Sequence, residues 1–287
     1  RPARRVMMFH GVDDVEMPVA AFERTLRWLA GRFNVVSLQA LVEGVLAGRA
    51  PDPRGELALT FDDGLANHFA VAYPVLQRLN LPATYFVCPA LIEQAKWIWN
   101  QEARERLKTL AAGARREFAQ ESLSMASADV EALVQRMKEV PIADRRRAEE
   151  ALRARTERFA PSPLQRQRFD QITWSELERL DPALITIGSH TLSHPILPTI
   201  DDATLESEVR DSRRMLEQKL GRSVDLFCYP NGAQDERVHA AVARHYRAAV
   251  TTRYGLVPPD TDAHRMVRIP ATPSLPMLAW RLHRPTA

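Results

Sequence analysis

The sequence predicts an α/β fold: a distorted, incomplete (β/α) barrel of mostly parallel strands with a helical insertion. Short apolar runs typical of strands alternate with amphipathic helical patterns along most of the 287 residues. Strand, helix and strand joined by short connections form βαβ units, which build parallel sheets. About six to eight such units in one chain favour a barrel over an open sheet. The alternation is interrupted once, from about residue 96 to residue 170.

Four strands and three helices are predicted before the interruption. Runs of apolar residues predict strands at 6–9, 35–36, 57–61 and 83–87. Apolar residues spaced three and four apart predict helices at 18–33, 38–47 and 69–79. Ser37 is predicted to cap the second helix, because its side chain can accept a hydrogen bond from a free N–H group of the first turn.

After the interruption the alternation resumes. Strands are predicted at 184–187, 224–229, 248–251 and 266–269, and helices at 203–220 and 235–245. The segment 96–170 is rich in Glu, Arg, Ala and Leu and has helical periodicity near 103–110, 130–137 and 145–159. We interpret it as a helical insertion between two barrel strands, within a single domain spanning residues 1–287. Thr173 and Glu176 form a predicted capping box that marks the return to the barrel.

Composition and charge exclude several classes of protein. About 45% apolar residues exclude a disordered chain. The 39 basic and 36 acidic residues nearly cancel, so we expect no nucleic-acid partner. No apolar run reaches the roughly 18 residues of a membrane span. The apolar stretch after the basic N-terminus ends at His10 and is too short for a signal peptide. We therefore expect a cytoplasmic protein, or an exported one whose leader is missing from this sequence.

Two adjacent carboxylates, Asp62 and Asp63, follow the predicted strand 57–61 directly. In a parallel α/β fold the carboxyl ends of the strands carry the functional residues. Two neighbouring carboxylates repel each other unless a cation or an arginine neutralises them. An ordinary Asp-Gly turn with a helix cap is the alternative interpretation of Asp63-Gly64.

A second polar stretch, which contains His190 and His194, follows the predicted strand 184–187. Two histidines four residues apart can bind one metal ion when they lie on one helical turn. The spacing matches the zinc-protease pattern, but that pattern requires Glu directly after the first histidine, where this chain has Thr191. Two histidines and one carboxylate leave coordination positions open for water and substrate, as a hydrolytic metal site requires.

A third stretch closes the predicted strand 224–229 with the residues Tyr229-Pro230-Asn231-Gly232. A loop shaped by Pro and Gly can present a backbone N–H group to a developing oxyanion. An ordinary strand-to-loop turn explains the same residues equally well.

Together the three stretches resemble the polysaccharide deacetylases of carbohydrate esterase family four, the NodB-homology domain. The resemblance rests on Thr60-Phe61-Asp62-Asp63-Gly64, His190-x-x-x-His194 and Phe227-x-Tyr229-Pro230-x-Gly232. It covers the barrel, and it implies a distorted (β/α) barrel, one divalent metal ion and hydrolysis of N-acetyl groups on sugars. A role in exopolysaccharide or O-antigen biosynthesis is implied as well.

The resemblance also assigns roles by motif position. Asp62 would be the general base, and Asp63, His190 and His194 would be the metal ligands. Tyr229 would offer its backbone N–H to the oxyanion, with Asn231 in the same loop as a substrate-binding residue. Zinc is the expected metal, with cobalt, nickel and iron(II) as alternatives, because two histidines and a carboxylate suit all four.

Two features depart from the common family pattern. Many members have an Arg in the third motif that holds the catalytic Asp; here the corresponding residues are Leu226-Phe227, and Arg268 is the candidate replacement. The usual general acid is a His in a C-terminal Leu-His pair, which His283 would match. However, His10 ends the first predicted strand, similar to the circularly permuted poly-N-acetylglucosamine deacetylases. We therefore predict His10 as the acid, on the opposite side of the pocket from Asp62.

The predicted function is metal-dependent removal of N-acetyl groups from the amino sugars of a glycan, with Asp62 as base and His10 as acid acting on a metal-bound water. A hydrolase of another non-peptide amide on the same barrel, or a carbohydrate-binding protein without turnover, are the alternatives. The insertion is expected to shape the substrate cleft through Trp97, Trp99 and Asn100, since aromatic rings of this kind stack on sugars.

Overall fold

The computed structural model describes residues 2–283, and within them seven parallel strands close into a barrel. The strands are β1 (Arg4–Phe9), β2 (Asn34–Val35), β3 (Glu56–Phe61), β4 (Ala83–Val87), β5 (Ile185–Ser189), β6 (Leu226–Cys228), β7 (Ala248–Tyr254) and β8 (Met266–Pro270). The ring runs β1–β3–β4–β5–β6–β7–β8 and returns to β1, while β2 pairs with the start of β3 outside it. The predicted distorted barrel is confirmed.

Barrel closure brings distant parts of the sequence to one rim. β1 pairs with β3 in register from Arg4 opposite Glu56 to Phe9 opposite Phe61. The two phenylalanine rings stack with their centroids 4.9 Å apart. Because the strands are parallel and end level, the residues that follow them, His10 and Asp62, emerge at the same end of the barrel.

Thirteen α-helices are described around and beside the barrel. They are α1 (Val19–Ala30), α2 (Leu38–Leu46), α3 (Tyr73–Leu79), α4 (Pro89–Gln94), α5 (Trp99–Thr109), α6 (Ala112–Leu123), α7 (Val130–Glu139), α8 (Ile142–Arg155), α9 (Pro163–Phe169), α10 (Trp174–Glu178), α11 (Asp202–Leu220), α12 (Glu236–His245) and α13 (Leu275–His283). The predicted caps form: Ser37 accepts from Ala40 N, and Thr173 and Glu176 make a reciprocal capping box. The predicted helix 69–79 is a π-helical turn, His68–Ala72, followed by α3.

Between β4 and β5 the described elements are all helices, α4 to α10 in sequence, joined by short loops. Helix α6 had no sequence signal, since its apolar residues form no continuous stripe. The helices share a buried cluster of their own, including Trp99, Leu107, Phe118 and Leu133, which continues into Cys88 and Ile196 of the barrel. The insertion therefore packs on the barrel through apolar contact at the rim where β4 and β5 end.

Residues Leu275–His283 form helix α13, which the sequence analysis did not predict. Leu278 and Leu282, four residues apart, are fully buried, and the Leu282 carbonyl accepts a hydrogen bond from Arg5 Nε at 3.0 Å. This apolar spacing was the available signal for a helix. Residues 1 and 284–287 of the predicted domain lie outside the described residues. No helix among residues 2–283 is long and apolar enough to cross a membrane.

Candidate active site

The carboxyl ends of the barrel strands surround a pocket of about 350 Å³. The predicted site residues that line it are His10, Asp62, Asp63, His190, His194 and Asn231. They follow β1, β3, β5 and β6, so each comes to the pocket because its strand ends at this rim. Closure of the barrel thus brings together predicted site residues that are up to 221 positions apart in the sequence, from His10 to Asn231.

Asp63, His190 and His194 have the separations expected of ligands to one cation. His190 Nε2 lies 3.5 Å and His194 Nε2 3.6 Å from the same oxygen, Asp63 Oδ1. Tetrahedral ligands at about 2.0–2.1 Å from a zinc ion stand roughly 3.4 Å from one another. The three residues are nearly fully buried, and they form a cluster of possible ligand atoms within 4.8 Å of each other. The residues present therefore fit a divalent metal.

Hydrogen bonds around the two histidines fix how they face Asp63. His190 Nδ1 donates to the Cys228 carbonyl at 2.7 Å, so Nε2 is the nitrogen that faces Asp63. The loop that follows is held by Glu208 of α11, whose carboxylate accepts from the Ser193 N–H at 3.0 Å and from the Ser193 hydroxyl. His194 itself has a left-handed backbone with φ 59°, which turns its ring back toward His190.

The two histidines beside Asp63 differ in pKa. Burial alone would lower the pKa of His190, but its contacts with Cys228 and Asp63 raise that pKa well above 6.5. Burial, followed by the charge of His190, lowers the pKa of His194 to about 3. One positive charge is thus favoured beside Asp63 and a second is not. A metal ion that replaces this proton would satisfy the same three groups.

Asp62 is held by Arg268 in a two-pronged ion pair inside the barrel. Arg268 Nη1 donates to Asp62 Oδ1 at 2.7 Å and Nη2 donates to Oδ2 at 2.6 Å. The guanidinium is fully buried and also donates to the Thr251 carbonyl and the Thr60 hydroxyl. Burial would raise the pKa of Asp62, but the charge and hydrogen bonds of Arg268 lower it to about 2. Asp62 is therefore ionised and fixed in orientation.

The candidate acids His10 and His283 occupy different ends of the molecule. His10 lines the pocket with its side chain 43% exposed, and its Nε2 lies 4.0 Å from Asp62 Oδ2. His283 is exposed on α13, with its ring centroid 6.1 Å from that of Phe33. The location of His10 agrees with its predicted role, but the expectation that it faces Asp62 across the pocket is wrong. The two are neighbours, because β1 and β3 are adjacent and end level.

Residues 49–250 match the family model described as polysaccharide deacetylase, which is more than two thirds of the chain. The chain belongs to the polysaccharide deacetylase family. One curated relative is YxkH of Bacillus subtilis, whose name describes it as a polysaccharide deacetylase. It is 19% identical over 96% of this chain and 74% of its own length.

Among solved structures, the fold is similar to that of two deacetylase-family proteins. The deacetylase PplD of Streptococcus pyogenes, solved with acetate, has a TM-score of 0.67 and 17% identity over 99% of both chains. IcaB of Ammonifex degensii has a TM-score of 0.65 and 17% identity over 98% of this chain and 97% of that one. At this identity the structures establish the shared fold.

The deacetylase-type third motif differs from the prediction at Tyr229. Its backbone N–H donates to the Val250 carbonyl at 3.2 Å, because pairing between β6 and β7 continues one residue past Cys228. Its side chain is buried, with the hydroxyl bonded to the His264 carbonyl. The assignment of an oxyanion contact to Tyr229 is therefore wrong. Asn231, with φ 54°, is the residue of this loop that lines the pocket.

The insertion reaches this deacetylase-family pocket through residues other than the predicted tryptophans. Trp99 is buried and donates from Nε1 to the His194 carbonyl at 3.0 Å, while Trp97 lines a separate cavity of about 390 Å³. Asn100 does line the pocket, as expected, and Gln101 beside it was missed. No pattern in the insertion distinguishes Gln101, since a polar residue in a charged helix resembles any solvated position.

His68 also went unrecognised in the sequence. It is fully buried, and its Nε2 donates to the backbone carbonyl of His10 at 2.8 Å. Burial lowers its pKa to about 4, so the ring is neutral and serves as a donor to this carbonyl. His68 thereby ties the loop that carries His10 to the π-helical turn after Asp62 and Asp63.

Proposed function

We propose that this chain is a metal-dependent hydrolase that removes N-acetyl groups from amino sugars of a glycan. One observation carries the proposal: an ionised Asp62 held by buried Arg268, a ligand set of Asp63, His190 and His194, and a partly exposed His10 share one pocket. Membership of the polysaccharide deacetylase family supports the same chemistry. Zinc is the expected metal, with cobalt, nickel or iron(II) as alternatives.

Asp63, His190 and His194 would hold the cation, which when bound supplies a Lewis acid for the amide carbonyl. Asp62 accepts the proton of the attacking water: although Arg268 occupies one direction at each of its oxygens, a carboxylate oxygen keeps a second lone pair. The carbonyl carbon then gains a C–O bond. The backbone of Asn231, in the loop that lines the pocket, is the proposed partner of the developing negative charge.

Collapse of the tetrahedral species breaks the C–N bond, and the amine leaves well only when it is protonated. His10 is the proposed donor, since it lines the same pocket and its ring is the more exposed of the two neighbours. The products are acetate and a free amino sugar. Asp62 and His10 stand 4.0 Å apart, so proton acceptance and donation occur on the same side of the pocket.

The direct test is acetate release from N-acetylated oligosaccharides by the chain as purified, after chelation, and after zinc is restored. We expect activity that chelation removes and zinc recovers. Release that is unaffected by a chelator would contradict the metal-dependent mechanism. Oligosaccharide binding with no release under any metal would identify a carbohydrate-binding protein instead, and release only from a non-sugar amide would identify a different hydrolase.

We expect His10→Ala to lower kcat on N-acetyl sugars by about 10²–10⁴, because the amine must then leave without a positioned acid. Zinc affinity should stay unchanged, since His10 is not in the ligand cluster. An acetyl ester with a phenolate leaving group needs no proton and should be much less affected. His283→Ala is the matched control and should behave like the wild type. Equal losses on amide and ester would contradict the role of His10.

A further inference from the structure

Helix α5 of the insertion forms one wall of the active-site pocket. Its lining residues are Asn100, Gln101, Arg104, Glu105 and Lys108. The other walls come from the loop after β1, the ends of β3 and β5, the loop after β6, Thr252 of β7, and the segment that carries Arg168 and Phe169. The insertion thus contributes side chains to the site at the edge nearest Asp63.

The side chain of Gln101 contacts a proposed metal ligand directly. Gln101 Nε2 donates to Asp63 Oδ2 at 3.0 Å. Both histidine contacts of Asp63 are to its other oxygen, Oδ1. The two oxygens of this carboxylate therefore have separate partners, and the amide from the insertion restrains the one that does not face the histidines. A carboxylate restrained in this way presents a single oxygen to a cation.

The first turn of α5 is anchored to the histidine loop as well. The buried indole of Trp99 donates to the His194 carbonyl at 3.0 Å, and the Arg145 guanidinium covers the same ring at 4.4 Å from its centroid. Two hydrogen bonds, from Trp99 to the His194 carbonyl and from Gln101 to Asp63, therefore connect the first turn of α5 to both loops that supply the proposed ligands. The position of Gln101 is consequently set by packing and not by its own contact alone.

Two acceptors on this turn lack partners. Asn100 Oδ1 and Gln101 Oε1 are both buried, and neither is hydrogen-bonded within residues 2–283. A buried carbonyl oxygen without a donor costs about 1–3 kcal/mol, so such atoms in a pocket wall favour a ligand that brings donors. Sugar hydroxyls and an acetamido N–H are donors of that kind.

We propose that Gln101 makes the insertion part of the active site: its Nε2 is the positioning group for Asp63, and its Oε1 accepts a hydrogen bond from a hydroxyl or N–H group of the substrate. The substrate half of this proposal rests on the proposed deacetylase function. The half that concerns Asp63 depends only on metal binding, so the two can be tested separately.

The first measurement is the zinc dissociation constant of metal-free protein, by competition with a chromophoric chelator. Gln101→Met keeps the length of the side chain and removes both polar atoms, so we expect zinc to bind about 10–100-fold more weakly. Asn100→Ala changes the adjacent amide, which has no bond to Asp63, and should bind zinc like the wild type. Asp63→Ala gives the background from any other site on the chain. Equal zinc affinity in Gln101→Met and wild type would overturn the positioning role.

A second variant distinguishes loss of the Asp63 contact from a general effect on folding. Gln101→Asn keeps the amide but is one methylene shorter and cannot reach Asp63, so it should show the same weakening as Gln101→Met. Thermal unfolding of the metal-free proteins should be unchanged in both. If Gln101→Asn retains wild-type zinc affinity, the contact with Asp63 has no role in metal binding.

The second measurement is acetate release at saturating zinc. Gln101→Met should then still show a raised KM, because restoring the metal does not restore the Oε1 acceptor. A wild-type KM at saturating zinc would overturn the substrate contact and leave the metal result standing. Should the wild type release no acetate from any sugar, the proposed function fails, while the zinc titrations still decide whether Gln101 positions Asp63.

Discussion

Asp63→Ala is expected to lose both bound zinc and acetate release, whereas Asp62→Asn is expected to keep the zinc and lose turnover. The two carboxylates are adjacent in sequence but have different partners: Asp63 faces His190 and His194, and Asp62 faces Arg268. Removing Asp63 removes one of the three proposed ligands. Changing Asp62 to Asn removes the proposed proton acceptor and should lower kcat by about 10²–10⁴.

Zinc content after dialysis and acetate release on the same samples measure both effects. Glu56→Gln, at the opposite end of β3, is the control and should keep metal and activity. Loss of zinc in both variants would mean that Asp62 is also a ligand. Full activity in Asp62→Asn would show that another group takes the proton.

Arg268→Met is expected to lower the free energy of unfolding by about 3–5 kcal/mol. The variant leaves the Asp62 carboxylate buried without its guanidinium partner. The Thr251 carbonyl and the Thr60 hydroxyl each lose a donor, although the Thr60 hydroxyl still donates to the Met7 carbonyl. Urea unfolding at pH 7 measures the loss. Arg268→Lys keeps the charge but not the two-pronged geometry, so it should recover part of the stability.

The pH dependence of stability gives a separate signature of the same pair. In the wild type the folded pKa of Asp62 is about 2, below its ordinary value of 3.8. The pair therefore contributes about 2 kcal/mol above pH 4, which is lost as the pH falls toward 2. In Arg268→Met, burial without a cation raises the folded pKa above 3.8. Stability should then fall as the pH rises from about 4, which is the opposite slope.

The double variant Asp62→Asn with Arg268→Met tests whether the loss comes from an unpaired charge. Removing both charges leaves no buried ion, so much of the stability lost in Arg268→Met should return. An equal loss in the double and single variants would instead assign the effect to the packing of the Arg268 side chain. Activity is expected to stay absent in the double variant.

Much of the site could be predicted from the sequence, because its residues follow strands directly. Apolar runs marked β3 and β5, and the polar residues after them, Asp62, Asp63 and His190, had to emerge at the same rim of a parallel barrel. His10 was placed by the end of β1 in the same way. Each of these inferences needed only the local pattern and the direction of the strands. His190 and His194 do converge, but the helical turn expected from their spacing is absent: they lie in a non-helical loop with left-handed backbone at Thr191 and His194.

Only the tertiary structure determined the contacts that depend on barrel closure and on how the insertion packs against the barrel. Arg268 and Asp62 are 206 positions apart and meet because β8 and β3 both flank β1. The N–H of Tyr229 is hydrogen-bonded to the Val250 carbonyl, because pairing with β7 continues one residue past β6. No motif in the loop sequence indicates this pairing. Gln101 reaches Asp63 only because Trp99 and the insertion core seat α5 on the rim. A sequence pattern encodes which side of an element is buried, but which side chains meet depends on how separate elements pack together.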